Sequence, residues 1–443
     1  MRGMRRLAIP LCVLVLGWTW TWARAAGVTK DGRGPAPEYR QVSAELVRAR
    51  DGLGNVLAKL KAGKEVRIAY LGGSITAQNG WRPKTLVWFR EMFGKAKVQE
   101  INAAIGGTGS DLGVFRLKQD VLDHRPDLLF VEFAVNDGGA SPENIWRGME
   151  GIVRKTWRHD ATTDICFVYT FRMGFQDDLD RGLCPRSTSA DELLADHYGI
   201  PSINVSLRIA QLAREGKLLF KPKVDPKTKK HLAVPAGMML FSNDGVHPLD
   251  AGHEVYRDVI AQAITKMMET SRPGAHALKP PFIADNWEQA ALVRLKREML
   301  SSGWRKMDPK RGLGGRFHRR MPELWEATEP GETITFKFKG TLAKLYDLVG
   351  PDGAQVVCTV DGKSSPPRPR FDHYCSYHRI ATLPVASGLA VAVHTVKIEI
   401  HPEQPDRTSV VNREKHKKGF DPAKYDGTCL RVAGIMLIGE LVE

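Results

Sequence analysis

Between residues 66 and 268, short apolar runs alternate with amphipathic stretches of helical length. The runs at 66–71, 98–101, 128–135, 165–171 and 201–205 read as strands. Helical stretches follow them at 83–93, 111–124, 141–158, 189–198 and 252–268. Pro83 lies near the start of the first, Asp111 stands as a cap for the second, and Ser141-Pro142-Glu143 opens the third. A strand that is apolar at successive positions must be covered on both faces, and a strand–helix alternation supplies that cover. The pattern therefore predicts an α/β fold with a parallel sheet between two helical layers. In such sheets ligands bind beyond the carboxyl ends of the strands, so the loops there are where chemistry is expected.

The flanking segments have a different texture. Residues 26–40 hold Gly, Pro and charge, and 41–62 carry a helical pattern interrupted at 51–54. Beyond about residue 280, one helix is expected at 286–299. Short strand-like runs then recur at 333–338, 343–348, 355–360, 393–400 and 430–437, separated by Gly, Pro and Asp. That spacing predicts an all-β sandwich, with loops at 306–320 and 402–424. At 443 residues the chain exceeds one ordinary core. The expected division is a leader at 1–25, an N-terminal extension at 26–63, the α/β unit at 64–272, a linker with a helix at 273–305, and the β-sandwich at 306–443.

The leader is basic at Arg2, Arg5 and Arg6, apolar over 7–22, and ends in Ala23-Arg24-Ala25, a small-x-small cleavage pattern. It predicts a secreted or periplasmic protein with no membrane span after cleavage. The formal charge is +15, and the leader would remove four of those positive charges. An exported basic chain suits an anionic partner such as an acidic polysaccharide. No nucleic-acid motif appears. Five cysteines remain after Cys12, an odd number at wide spacing. Cys166 reads as a buried free thiol, and Cys358, Cys375 and Cys429 allow one pair. His373, Cys375 and His378 lack the second dense group that a zinc site needs.

Four loops carry candidate chemistry. Gly72-Gly73-Ser74-Ile75-Thr76 follows the first strand, a sharp turn that would present a hydroxyl at the strand end. The segment 102–110 follows the second strand with Gly106, Gly107 and Gly109. It lacks the Lys-Ser/Thr ending of a phosphate loop and the acidic partner of a dinucleotide site, which leaves a flexible turn or a backbone donor. Asn136-Asp137-Gly138 follows the third, and an Asn there can turn its amide towards a developing oxyanion. Asp244-Gly245-Val246-His247 follows the fifth, a spacing that lets a carboxylate orient an imidazole. His253 reads as packing or capping, and Gln78, Trp81 and Arg82 as substrate contacts or packing. Each loop alone is a weak signal, but all four converge on one rim.

With those residues in place, the segment 64–270 resembles the SGNH (GDSL-type) hydrolases, whose four blocks centre on Ser, Gly, Asn and His. Ser74, Gly107, Asn136 and the Asp244/His247 pair match in order and interval. Gly73 stands where the family has Asp, and Ala134 where it has Gly. The resemblance implies a flavodoxin-like α/β/α domain. It implies Ser74, His247 and Asp244 as a catalytic triad, with Ser74, Gly107 and Asn136 as the oxyanion hole, and no metal or cofactor. The 331–341 and 360–362 segments are similar to jelly-roll domains beside carbohydrate esterases. Together these imply removal of acyl groups, chiefly O-acetyl, from a poly- or oligosaccharide. An O-acyltransferase using the same triad and a non-catalytic glycan-binding protein are the alternatives. Arg214 to His231, with Lys221, Lys223, Lys227, Lys229 and Lys230, is either a basic rim for anionic glycans or a solvated loop.

Overall fold

The computed structural model describes residues 37–228 and 230–442; the leader lies outside them. The first sheet contains β1 (Val47–Arg48), β2 (Glu65–Gly72), β3 (Lys97–Asn102), β4 (Leu128–Glu132), β5 (Asp164–Val168) and β6 (Ser202–Ile203). Its order is β1-β6-β5-β4-β2-β3. All neighbours are parallel except β1, which caps the edge of β6 antiparallel. The order of the five parallel strands is that of flavodoxin-like folds, and it reverses between β2 and β4.

The helices are α1 (Gly54–Lys61), α2 (Ser74–Ala77), α3 (Trp81–Met92), α4 (Ser110–Asp120), α5 (Pro142–His159), α6 (Gln176–Asp180), α7 (Arg186–Tyr198), α8 (Val205–Arg214) and α9 (Asp250–Thr270). Strand alternation explains the continuous apolar runs. Ile68, Tyr70, Leu128, Phe130, Cys166 and Val168 enter one core with α1, α3, α8 and α9. Ala69, Leu71, Leu129, Val131, Ile165 and Phe167 enter the other with α4, α5 and α7. Ser141 caps α5 as its sequence suggests, its hydroxyl accepting from the Asn144 N–H at 3.4 Å. Between α8 and α9 lies a small pair, β7 (Leu218–Leu219) and β8 (Met239–Leu240).

The remaining strands are β9 (Ala290–Val293), β10 (Arg305–Lys306), β11 (Trp325–Ala327), β12 (Thr333–Val349), β13 (Gln355–Val360), β14 (Lys363–Ser364), β15 (Arg368–Pro369), β16 (Arg379–Ala386), β17 (Ala392–Ile400) and β18 (Leu430–Val442). They form an antiparallel β-sandwich, joined by α10 (Gly312–Phe317) and α11 (Thr408–Glu414). The runs at 333–338 and 343–348 prove to be one strand, β12. Its first half pairs with β17 and its second half with β16, while β18 runs along its other edge. The first half alternates buried and exposed residues, whereas the second half is buried throughout. The reason is that Ala343 and Leu345 fill the sandwich core, while Leu342, Tyr346 and Leu348 enter the same core as α4 and α5.

Three expectations are corrected. No α-helix forms over 286–299, only a single 3-10 turn at Arg297–Met299; Ala290–Val293 pairs with β18, so part of the expected linker is sheet. The helical pattern at 41–62 is helix only from Gly54, and its first half supplies the edge strand β1. Cys358, Cys375 and Cys429 form no pair: Cys166, Cys184 and these three are all free thiols. Among the described residues, no helix is long and apolar enough to cross a membrane.

Candidate active site

The site lies at the carboxyl rim of the parallel sheet, where the strand order reverses. β2 ends at Gly72, and the chain turns at Gly73 into α2, placing Ser74 at its first position. Ser74 Oγ lies 2.8 Å from His247 Nε2, and His247 Nδ1 lies 2.6 Å from Asp244 Oδ2. The carboxylate can only accept, so Nδ1 carries the proton and bare Nε2 accepts from the Ser74 hydroxyl. The Asp–His spacing works through a local turn. Asp244 Oδ1 accepts the N–H groups of Val246 and His247, both at 2.9 Å, which leaves Oδ2 for the ring. Ser242 Oγ holds the turn from below, accepting the Gly245 N–H at 2.6 Å. Partial burial would raise the Asp244 pKa, but the His247 ring and the two N–H groups outweigh it and hold the carboxyl below its ordinary range.

Gly107 has φ +73°, a backbone that favours glycine, with open space where a side chain would stand. Its neighbour Gly106 packs against Ser74, since a methyl group there would lie 3.6 Å from Ser74 Cβ. The Asn136 amide lies over Gly73: a methyl group at 73 would collide with Asn136 Oδ1. With the Asn136 amide so placed, position 73 has no room for a side chain unless that amide shifts. The residues at the centre of the four loops thus come together. A hydroxyl donating to an oriented imidazole, beside backbone and amide N–H groups, is an arrangement suited to nucleophilic acyl transfer.

Two other candidates, Trp81 and Arg82, are turned away from this rim. Trp81 is 0% exposed, with its ring between Tyr70 and Phe130 at centroid distances of 5.4 and 6.0 Å. Arg82 is 6% exposed and donates to the Thr76 carbonyl and to Glu100. Both belong to the inner side of α3, so the substrate-contact reading is corrected to packing. Gln78 is half-buried at the end of α2, and its carbonyl accepts from Arg82. His253 is buried, and its Nδ1 accepts the Trp81 N–H at 3.2 Å. Burial pushes its pKa down to about 4, so it stands as a neutral packing group.

Several supporting residues were not singled out from the sequence. Glu132, the polar exception in an apolar strand, accepts from Thr76 Oγ1 at 2.7 Å and Thr170 Oγ1 at 2.8 Å, which ties α2 to the strand ends. Asp137 accepts the Ser110 N–H at 3.0 Å and so ties the Asn136 turn to the Gly107 loop. Burial raises both acids to about 7. The β3 end is bracketed by guanidinium groups. Arg116 donates to the Ala103 carbonyl, Arg319 to Asn102 at 2.9 Å, and Arg320 to Asn102 at 2.6 Å and Ala104 at 3.1 Å. Arg319 and Arg320 lie between α10 and β11 of the sandwich part, so that connection grips the base of the Gly107 loop. Nearby, Gly107 and Leu112 face Phe371, Arg379 and Thr382 across a cleft of about 350 Å³ between the two parts of the chain.

The fold and the converging loops define an acylhydrolase domain of the SGNH class. Residues 70–255 match the model of the GDSL-like lipase/acylhydrolase family. A solved two-domain esterase active on acetylated mannans, co-crystallised with mannopentaose, is similar over 91% of this chain and 100% of its own, with a TM-score of 0.68 and 20% identity. A second structure of a two-domain esterase active on acetylated mannans covers 90% of this chain and 98% of that one, with a TM-score of 0.67 and 21% identity. The two-domain architecture is therefore shared along nearly the whole length. No curated protein matches the chain in sequence.

Proposed function

We propose that the protein is a secreted or periplasmic serine esterase that removes O-acetyl groups from a polysaccharide or oligosaccharide. The observation that carries this reading is the hydrogen-bonded chain Ser74–His247–Asp244 at the rim of the sheet. In this mechanism Ser74 Oγ attacks the acetyl carbonyl carbon while His247 Nε2 takes its proton. The oxyanion is held by the N–H groups of Ser74 and Gly107 and by the Asn136 amide. His247 then gives the proton to the departing sugar oxygen, leaving an acetyl ester on Ser74. Water attacks that ester with His247 as base, acetate leaves, and the hydroxyl is restored.

The glycan part of the proposal is supported by the likeness to the two-domain esterase and by the β-sandwich side of the cleft. There the 371–379 loop displays Tyr374 at 62% exposure and Tyr377 at 50%. Exposed aromatic rings beside a polar cleft suit the apolar faces of sugar rings. A panel of acetylated polysaccharides assayed for free acetate tests the reading. Release from at least one glycan, at a rate above that for a triglyceride, is expected; hydrolysis of lipid esters alone would overturn it. For Asn136→Ala the expected result is a kcat lower by about 10²–10³-fold with KM little changed. A rise in KM alone would make Asn136 a binding group and not an oxyanion donor.

A further inference from the structure

From the rim beside the triad we infer that Arg172 recognises a carboxylate on the substrate, so that the preferred glycan carries uronic acid residues close to its acetyl groups. This rests on the esterase reading and specifies its substrate. Arg172 lies four residues beyond the end of β5, on the same rim as Ser74. Its guanidinium packs over Gly138, two residues from Asn136, at 3.5 Å from where a methyl group on that glycine would stand. The next residue, Met173, donates its N–H to the Gly245 carbonyl at 2.9 Å, inside the Asp244–His247 turn. Arg172 thus sits between the turn that carries the candidate oxyanion amide and the turn that carries the imidazole.

The guanidinium is half-buried and lies 5.3 Å from the Phe175 ring centroid. Among the described residues it makes no hydrogen bond or ion pair, although most arginines of the chain that are so far buried are paired with a carboxylate or a carbonyl. An unpaired guanidinium beside a reaction centre keeps its five donors for a ligand, and its fork matches a carboxylate. Gly138 offers no side chain to cover it, and the nearest acid of the turn, Asp137, is turned inward onto Ser110.

The surroundings have the same sign. Arg186 is exposed and donates to the Gly138 carbonyl at 2.7 Å, so two guanidinium groups frame that residue. Phe171 stacks on Phe220 with ring centroids 4.8 Å apart, which holds the segment that continues into Lys221 against the one that continues into Arg172. Lys221, Lys223, Lys227 and Lys230 are exposed beyond it. A polyanion drawn to that arm is brought towards the rim that carries Arg172 and Ser74.

The test compares acetylated polygalacturonate with acetylated mannan, using the full chain and Arg172→Met, with melting temperatures confirming that the variant folds. Wild type is expected to show the higher kcat/KM on the acidic polymer, and the acidic-to-neutral ratio is expected to fall about tenfold in the variant, mainly through KM. Arg172→Lys should restore part of the ratio. An equal fall on both polymers, or no change in the ratio, would overturn the inference. So would a wild type that prefers the neutral mannan, and that result would leave the esterase reading intact. A wild type that cleaves neither polymer but turns over a chromogenic acetate overturns the inference, and the glycan reading then rests on the wider panel.

Discussion

Ser74→Ala should give a folded protein in which ester hydrolysis is lost, with kcat on a chromogenic acetate lower by about 10⁶-fold, as when the serine is removed from other hydrogen-bonded triads. The size of the effect follows from the geometry. His247 Nε2 has the Ser74 hydroxyl at 2.8 Å, and without it no group is left to carry the acetyl. The fold should be indifferent, because the side chain lies at the rim and the one lost hydrogen bond is worth only about 1 kcal/mol. Oxyanion donors that remain would sustain weak turnover by water. Steady-state kinetics and a melting curve check both halves. Turnover equal to wild type would remove Ser74 from the mechanism, and with it the proposed assignment of His247 and Asp244.

The second large effect concerns stability. Asp347 on β12 is 0% exposed, and Arg370 grips it with two hydrogen bonds of 2.6 and 2.9 Å. Burial raises the Asp347 pKa even against the opposing pull of the Arg370 guanidinium. Arg370→Met would strand that carboxyl, and a loss of about 3–5 kcal/mol is expected on denaturant unfolding at neutral pH. The sign of the pKa shift adds a second feature. Without its partner the acid should take up a proton, so the loss should shrink as the pH is lowered. Adding Asp347→Leu should recover most of the stability, since the buried charge is then gone. An Arg370→Met protein as stable as wild type would show that the pair contributes nothing.

The α/β unit was legible because its strands are buried on both faces, so Ile68 to Leu71 or Leu128 to Val131 cannot be mistaken for surface. The Asp244–His247 pair was legible because its geometry is local, made by one turn. What escaped depended on partners distant in sequence. Residues 290–293 have helix-compatible neighbours, yet β18 recruits them as a strand, a case of tertiary pairing overriding local pattern. α8 has no counterpart in the sequence pattern, which runs a strand through 201–205; Asn204 within it accepts the Leu207 N–H at 3.3 Å and starts a helix. Trp81 and Arg82 follow the nucleophile closely in sequence, but helix α3 turns them inward. Arg172 carries no motif, and only the convergence of three turns shows where it sits.

The burial of Leu342, Tyr346 and Leu348 among residues of α4 and α5 has a thermodynamic consequence. Two units that meet through a polar surface can melt separately, whereas units that share side chains of one core cannot. This chain should therefore lose its two halves in a single transition. The catalytic half produced alone would expose the apolar surface that β12 now covers, and the sandwich is accordingly a structural part of the enzyme, unsuited to being transplanted as a free module.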